Sequence, residues 1–106
     1  MNVQEKIRNQ VTENSIVLYM KGTPQFPQCG FSGATVQLLK ACGVQDFNAV
    51  DVLVDPEIRE GIKAYSNWPT VPQLYIKGEF VGGVDIVRDM HSQGELQKLL
   101  DSALAG

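Results

Sequence analysis

The sequence predicts an α/β fold, a mixed four-stranded sheet flanked by helices, and three observations predict it. Residues 16–20 and 47–52 are short runs rich in strand formers joined through a helical stretch, which makes a right-handed parallel βαβ unit. Residues 74–76 and 80–83 flank a Lys77-Gly78-Glu79 turn and form an antiparallel hairpin. Helical periodicity surrounds these runs, so the order is α-β-α-β-α-β-β-α-α.

Each element has a local cause. Val3, Ile7 and Val11 recur every fourth residue, so residues 2–13 read as an amphipathic helix ended by Asn14-Ser15. Ile16 to Met20 is a continuous apolar run, the pattern of a strand buried on both faces. "KGTPQFPQ" follows, with two prolines and a glycine, and reads as loop. From Gly30 to Ala41 the pattern is helical, with Phe31, Thr35, Leu38/Leu39 and Cys42 on one face and Gly43 as the stop. Asp55-Pro56-Glu57 starts the next helix, with Asp55 as N-cap and Pro56 at the first position. "NWPTVPQ" is a rigid loop. Asp85 reads as the cap of a helix running to about Ser92; Gly94 breaks it. The last helix carries Leu96, Leu99, Leu100 and Leu104. Met20 and Met90 read as core.

The bulk numbers narrow the function. The chain has 106 residues, 43% hydrophobic and 20% charged, with a net charge of −3; that suits one domain with its own core. The acidic balance argues against nucleic acid as partner. No apolar run approaches the ~18 residues of a membrane span, and the first residues carry Glu5 and no apolar h-region. The expectation is a cytoplasmic protein, where a reactive thiol is more plausible than a structural disulfide.

The chemistry centres on "PQCGFSG", in which a Cys-x-x-Cys spacing is half present: Cys29 stands first and Ser32 occupies the partner position. Cys29 lies where a loop meets a helix N-terminus, whose unpaired N–H groups stabilise a thiolate. Lys21 adds positive charge from the other end of the loop. Cys42 lies thirteen residues further along the helix, nearly ~20 Å away at ~1.5 Å per residue, whereas a disulfide needs Cα atoms within ~7 Å. Cys42 therefore reads as core. Two uses of Cys29 stay open. It can exchange with an external thiol such as glutathione in a monothiol cycle, or it can ligate a metal centre. An iron–sulfur cluster usually takes four thiolates, so two chains and two borrowed small thiols would be required. His91, alone on its helix, reads as a surface residue.

Cys29-Gly30-Phe31-Ser32, preceded by Lys21-Gly22 and followed by Trp68-Pro69-Thr70-Val71-Pro72 and Gly82-Gly83, resembles the CGFS-type monothiol glutaredoxins, and the likeness runs from the first helix to "GELQKLL". The resemblance implies a thioredoxin-like fold over one domain, residues 1–106. It also implies a glutathione site and a [2Fe–2S] cluster bridging two protomers, each giving its cysteine and each bound glutathione its thiolate. The protein would be a homodimer with cluster and a monomer without it. Its work would be cluster storage and delivery to apo iron–sulfur proteins, with a BolA-like partner. Carried over by residue, Lys21 and Arg59 would hold the glycine carboxylate of glutathione. Val71, before a cis-Pro72, would pair with its peptide backbone. Gly83, Val84 and Asp85 would receive the γ-glutamyl end at a helix N-terminus, with Asp85 facing the ammonium. Phe31 and Thr70 would line the pocket, and Trp68 either flanks it or packs in the core. Gly82-Gly83 would take backbone conformations closed to other residues. In one departure, many relatives carry Cys where this chain has Val84, which weakens any dithiol reading. The loop "TPQFP" is longer than in two-cysteine glutaredoxins. The competing functions are a glutathione-dependent monothiol oxidoreductase acting through Cys29 and a redox-inert binding module.

Overall fold

The computed structural model describes residues 2–105. The elements are α1 (Val3–Glu13), β1 (Ile16–Met20), α2 (Gly30–Ala41), β2 (Asn48–Asp51), α3 (Pro56–Ser66), β3 (Gln73–Ile76), β4 (Glu79–Gly82), α4 (Val84–Ser92) and α5 (Glu95–Ala105). The strands form one sheet in the order β2-β1-β3-β4. β1 pairs parallel with β2, antiparallel with β3, and β3 pairs antiparallel with β4. This is the mixed sheet that the sequence predicts.

The sheet sorts its side chains by the two-residue period of a strand. Ile16, Leu18 and Met20 of β1, with Leu74 and Ile76 of β3, join Val36, Leu39, Val87, Leu96 and Leu100 in one core cluster under α2, α4 and α5. Val17, Tyr19 and Tyr75 turn to the other face and meet Ile7, Val11, Ile58 and Ile62 of α1 and α3. The continuous apolar run of β1 is thus explained: every one of its residues is buried. Each fully buried large side chain contributes about 1.5–3 kcal/mol.

The helix starts follow the capping chemistry. Asn2 Oδ1 accepts from the Glu5 N–H at 2.9 Å, and its own amide donates to the Glu5 carboxylate at 3.2 Å. Asp55 accepts from the N–H groups of Glu57 and Ile58, with Pro56 opening α3.

Several expectations are corrected. The buried face of α2 is Ser32, Thr35, Val36 and Leu39; Phe31 points out and is 62% exposed. Ser32 of the same first turn is fully buried, whereas Phe31 lies past the edge of the core at the open end of the helix. The N-cap of α4 is Gly83, not Asp85, which lies in the first turn. "KGTPQFPQ" is a small hairpin rather than irregular loop: Gln28 N–H donates to Lys21 C=O at 2.9 Å, Gly22 bridges Pro27, and Phe26 N–H donates to Thr23 C=O at 3.1 Å. The turn between β3 and β4 is two residues, Lys77 and Gly78, both with positive φ, the type I′ geometry that matches strand twist. β2 is shorter than residues 47–52: Val52 leaves the strand but still donates to Met20 C=O at 2.9 Å. Cys42 is buried, as expected, and Met20 and Met90 both belong to the first cluster, Met90 only partly buried. His91 is exposed on α4.

Candidate functional site

Cys29 is the N-cap of α2, in extended conformation, and half-buried. Its sulfur therefore lies at the open end of the helix, among N–H groups without intrahelical partners. Its thiol pKa is lowered, chiefly by the hydrogen bond from the Ser32 backbone N–H. Partial burial opposes this, and the Phe31 N–H, the Lys21 ammonium and the Ser32 hydroxyl lower it further. Burial, with the charge of Asp101, instead pushes the Cys42 thiol up. Cys42 caps the far end of the same helix. A half-buried thiol of lowered pKa and a buried thiol of raised pKa are separated by the whole of α2.

Ser32 is fully buried, and its hydroxyl accepts the Lys21 backbone N–H at 3.0 Å. It ties the end of β1 to the first turn of α2 at the position where a second cysteine would stand. Asp51, at the end of β2, accepts from the N–H groups of Gly22 and Leu53, each at 2.9 Å, and fastens the hairpin to the sheet. Gly22 has φ +89°, and a Cβ there would lie 2.5 Å from Phe26 O and 2.6 Å from Gln28 N. Only glycine fits that crossing.

A groove begins at the thiol. Its first half, about 330 Å³, is lined by Lys21, Cys29, Phe31, Arg59, Lys63, Pro69, Thr70 and Val71. Its second, about 270 Å³, is lined by Phe31, Thr70, Val71, Pro72, Val84 and Asp85. Phe31, Thr70 and Val71 belong to both, so the two halves are continuous. Of the ten residues singled out by sequence, nine line this groove; Gly83 is buried behind it as the cap of α4. The wall opposite the thiol is the loop ending in a cis Val71-Pro72 bond, and the Val71 N–H and C=O make no hydrogen bond among the described residues. Gly82 has φ +150°, whereas Gly83 has an ordinary φ of −89° and is kept small by Trp68, whose Nε1 would lie 3.2 Å from a Cβ. Trp68 itself is half-buried and packs on Phe80 with ring centroids 5.7 Å apart. It supports the groove from behind.

The groove is electropositive in an acidic chain. Lys21 and Arg59 have no carboxylate partner within ion-pair distance among the described residues. Lys63, which the sequence reading omits, adds a third cation, partly occupied by Glu60 at 3.2 Å. Its signal was available: it lies four residues after Arg59, on the same helix face. Two helix N-termini, of α2 and α4, add their dipoles at the ends of the groove. Gly83 brings no capping side chain, so the first N–H groups of α4 are left for a ligand. The arrangement suits an extended, doubly anionic peptide with a sulfur near Cys29. A separate hollow of about 370 Å³ lies at the other end of the sheet, between Asn14, Asp46 and Leu104; it is lined by neither a thiol nor a cation.

The family model described as Glutaredoxin matches residues 16–81. A Synechocystis sp. protein named "Uncharacterized monothiol glutaredoxin ycf64-like" is 53% identical, with 99% of each chain covered. "Glutaredoxin 4" of Escherichia coli K12 is 54% identical over 95% of this chain and 87% of that protein. Among solved structures, reduced apo GrxS14 of poplar superposes with a TM-score of 0.84 at 45% identity, covering 98% of this chain and 94% of its own.

Proposed function

We propose, from the premise that this chain belongs to the monothiol glutaredoxin family, that it binds glutathione in the groove beside Cys29 and that two such protomers carry a [2Fe–2S] cluster between them. The observation that carries this reading is the single accessible sulfur. Cys29 is half-exposed with a lowered pKa, Cys42 is buried, and Ser32 holds the place of a second thiol. Iron–sulfur clusters usually take four thiolates. No group of three or more His, Cys, Asp or Glu side chains that could hold a metal exists among the described residues. One chain therefore offers an incomplete donor set, and the residues fit a shared centre completed by a borrowed thiol rather than a site of their own. The cluster is cargo, to be handed to apo iron–sulfur proteins in the cytoplasm, with a BolA-like protein as partner.

The residues of this chain orient glutathione. Lys21 and Arg59 receive its glycine carboxylate, Arg59 through a planar fork that can bind both oxygens. The free backbone groups of Val71, before Pro72, pair with its cysteinyl peptide as an added strand would. The N-terminus of α4, at Gly83 and Val84, takes the γ-glutamyl carboxylate, and Asp85 faces the ammonium. Phe31 and Thr70 flank the chain between these ends. So held, the glutathione sulfur lies beside Cys29, and the N–H groups of Ser32 and Phe31 favour the thiolate form of Cys29 that a ligand needs.

The lowered thiol pKa also supports a second reading, a glutathione-dependent oxidoreductase. The Cys29 thiolate attacks the glutathione sulfur of a protein–glutathione mixed disulfide. That S–S bond breaks, the protein thiolate leaves and takes up a proton, and Cys29 is joined to glutathione. The thiolate of a second glutathione attacks the bound glutathione sulfur, releasing oxidised glutathione and the Cys29 thiolate. Ser32 does not obstruct this route, which uses one protein sulfur.

Anaerobic reconstitution with iron, sulfide and glutathione, followed by visible absorption and size determination, tests the primary reading. A coloured dimer that needs both glutathione and Cys29 is expected. A colourless monomer, or a Cys29→Ser protein that still holds iron in a dimer, would overturn it. Turnover of a mixed disulfide at the rate of a two-cysteine glutaredoxin would favour the second.

A further inference from the structure

The loop from Pro69 to Pro72 walls both halves of the groove; Val71 anchors one end of it in the core, but the loop has almost no hydrogen bonds of its own to fix its shape. Two of its four residues are prolines without an N–H. Within it, the Thr70 C=O is the one group that makes a hydrogen bond among the described residues. That bond comes from Gln73.

Gln73 is the first residue of β3 and is fully buried. Its side chain shares the sheet face of Tyr75, under α1 and α3, where its neighbours are aromatic and aliphatic. A carboxamide placed there without partners would cost several kcal/mol, and an aliphatic residue would pack as well. The carboxamide instead is fully used. Its Nε2 donates to Trp68 C=O at 3.2 Å and to Thr70 C=O at 3.1 Å, and its Oε1 accepts from the Tyr75 hydroxyl at 3.3 Å. Both N–H bonds reach back over the bend to the groove wall, and the third fixes the carboxamide orientation. A single rigid group thus spans the loop from Trp68 to Thr70. Trp68 in turn abuts Gly83, the cap of α4, so the clamp bears on the second end of the groove as well.

We infer that Gln73 is a positioning residue for glutathione: it holds the Trp68–Thr70 segment so that Thr70 and Val71 present a preformed wall opposite Cys29. The inference rests on the reading that glutathione occupies this groove. Gln73 lines neither half of the groove. Its action is preorganisation, which otherwise has to come from the binding energy.

Gln73→Met keeps the length and removes both donors. Glutathione affinity measured by calorimetry is expected to fall about ten-fold or more, the worth of two neutral hydrogen bonds. The alkylation of Cys29 as a function of pH, without glutathione, is expected to be unchanged, because the N–H groups of α2 set it. Tyr75→Phe, which leaves both donors in place and removes only the bond that orients the carboxamide, is expected to weaken glutathione binding less than Gln73→Met does, and an equal or larger loss would refute the role of the two donors. A Gln73→Met protein that is less stable but binds glutathione as the parent does would refute the positioning role. So would one in which affinity and thiol titration shift together. Failure of the parent chain to bind glutathione would instead overturn the function itself. Should Gln73→Met not fold, the parent chain still decides: glutathione is expected to slow exchange of the Gln73 carboxamide protons along with the Val71 amide, and unchanged carboxamide exchange refutes the role.

Discussion

Replacing Gly22 by alanine tests whether the hairpin between β1 and α2 is what holds Lys21 near the thiol. The new Cβ would lie 2.5 Å from Phe26 O and 2.6 Å from Gln28 N, both backbone atoms. No side-chain rotation relieves that overlap, and the left-handed φ of +89° adds about 1–2 kcal/mol for an L-residue. Opening the hairpin is the cheaper response. It gives up the Gln28–Lys21 bond, the Phe26–Thr23 bond and the bond from Gly22 N–H to Asp51, at about 1 kcal/mol each. A loss of about 3 kcal/mol is expected, which for a domain of this size lowers Tm by about 12 °C. The same opening carries the Lys21 ammonium away from Cys29. The thiol pKa should rise, yet stay below its ordinary value, because the Ser32 and Phe31 N–H groups remain on the sulfur. Thermal unfolding by circular dichroism and the pH profile of Cys29 alkylation read the two effects. A Tm within about 4 °C of the parent, less than the change for one lost hydrogen bond, together with an unchanged alkylation profile, would refute this account of the hairpin.

Other perturbations separate the parts of the site. Ser32→Ala removes a buried acceptor from the Lys21 N–H, at about 1–3 kcal/mol in urea unfolding, and should raise the Cys29 pKa only partway, since the backbone bonds remain. Cys29 is an acid whose folded pKa lies below the ordinary 9.0. Its ionisation therefore stabilises the fold above about pH 9 and ceases to do so as pH falls through the folded value. The stability difference between the parent and Cys29→Ser should shrink over that window; a difference constant with pH would contradict it. Burial raises the phenol pKa of Tyr75 to about 12, and that of Tyr19 still higher. Stability should accordingly decline as pH rises from 10 toward 12, with part of the tyrosinate absorbance at 295 nm appearing only together with unfolding. Leu100→Ala, in the cluster under α5, should cost about 2–5 kcal/mol and leave the Cys29 alkylation profile in place.

The elements were legible where local chemistry decides them. The apolar run of β1, the Asp55-Pro56 start of α3 and the turn at Lys77-Gly78 all stand where sequence places them, because caps and turns depend on a few adjacent residues. The faces were less legible. Phe31 matches the helical spacing of Thr35 yet is exposed, because at the first turn of α2 that face opens onto the groove and not onto the core. Gly83 rather than Asp85 caps α4, since a glycine N-cap leaves no side-chain signature. The hairpin at residues 21–28 was hidden because Pro24 and Pro27 read as loop, while the bonds that order it come from Gln28 and from distant Asp51. At the site, the residues that face the groove were identified through motif likeness and spacing. Those that act behind it were not: Asp51 and Gln73 are polar residues whose partners lie across the sheet or around a bend, and no periodicity marks such a pairing. Lys63 was within reach of helical spacing from Arg59.

The placement of the two cysteines at opposite ends of α2 has a practical consequence. A thiol reagent added to the native chain should find one sulfur promptly, whereas unfolding in urea exposes both. The number of tags per molecule, read by intact mass, is then a direct tally of folded against unfolded chains. The wild-type sequence carries its own internal gauge of conformation, and no engineered label is needed to follow how ligands shift that balance.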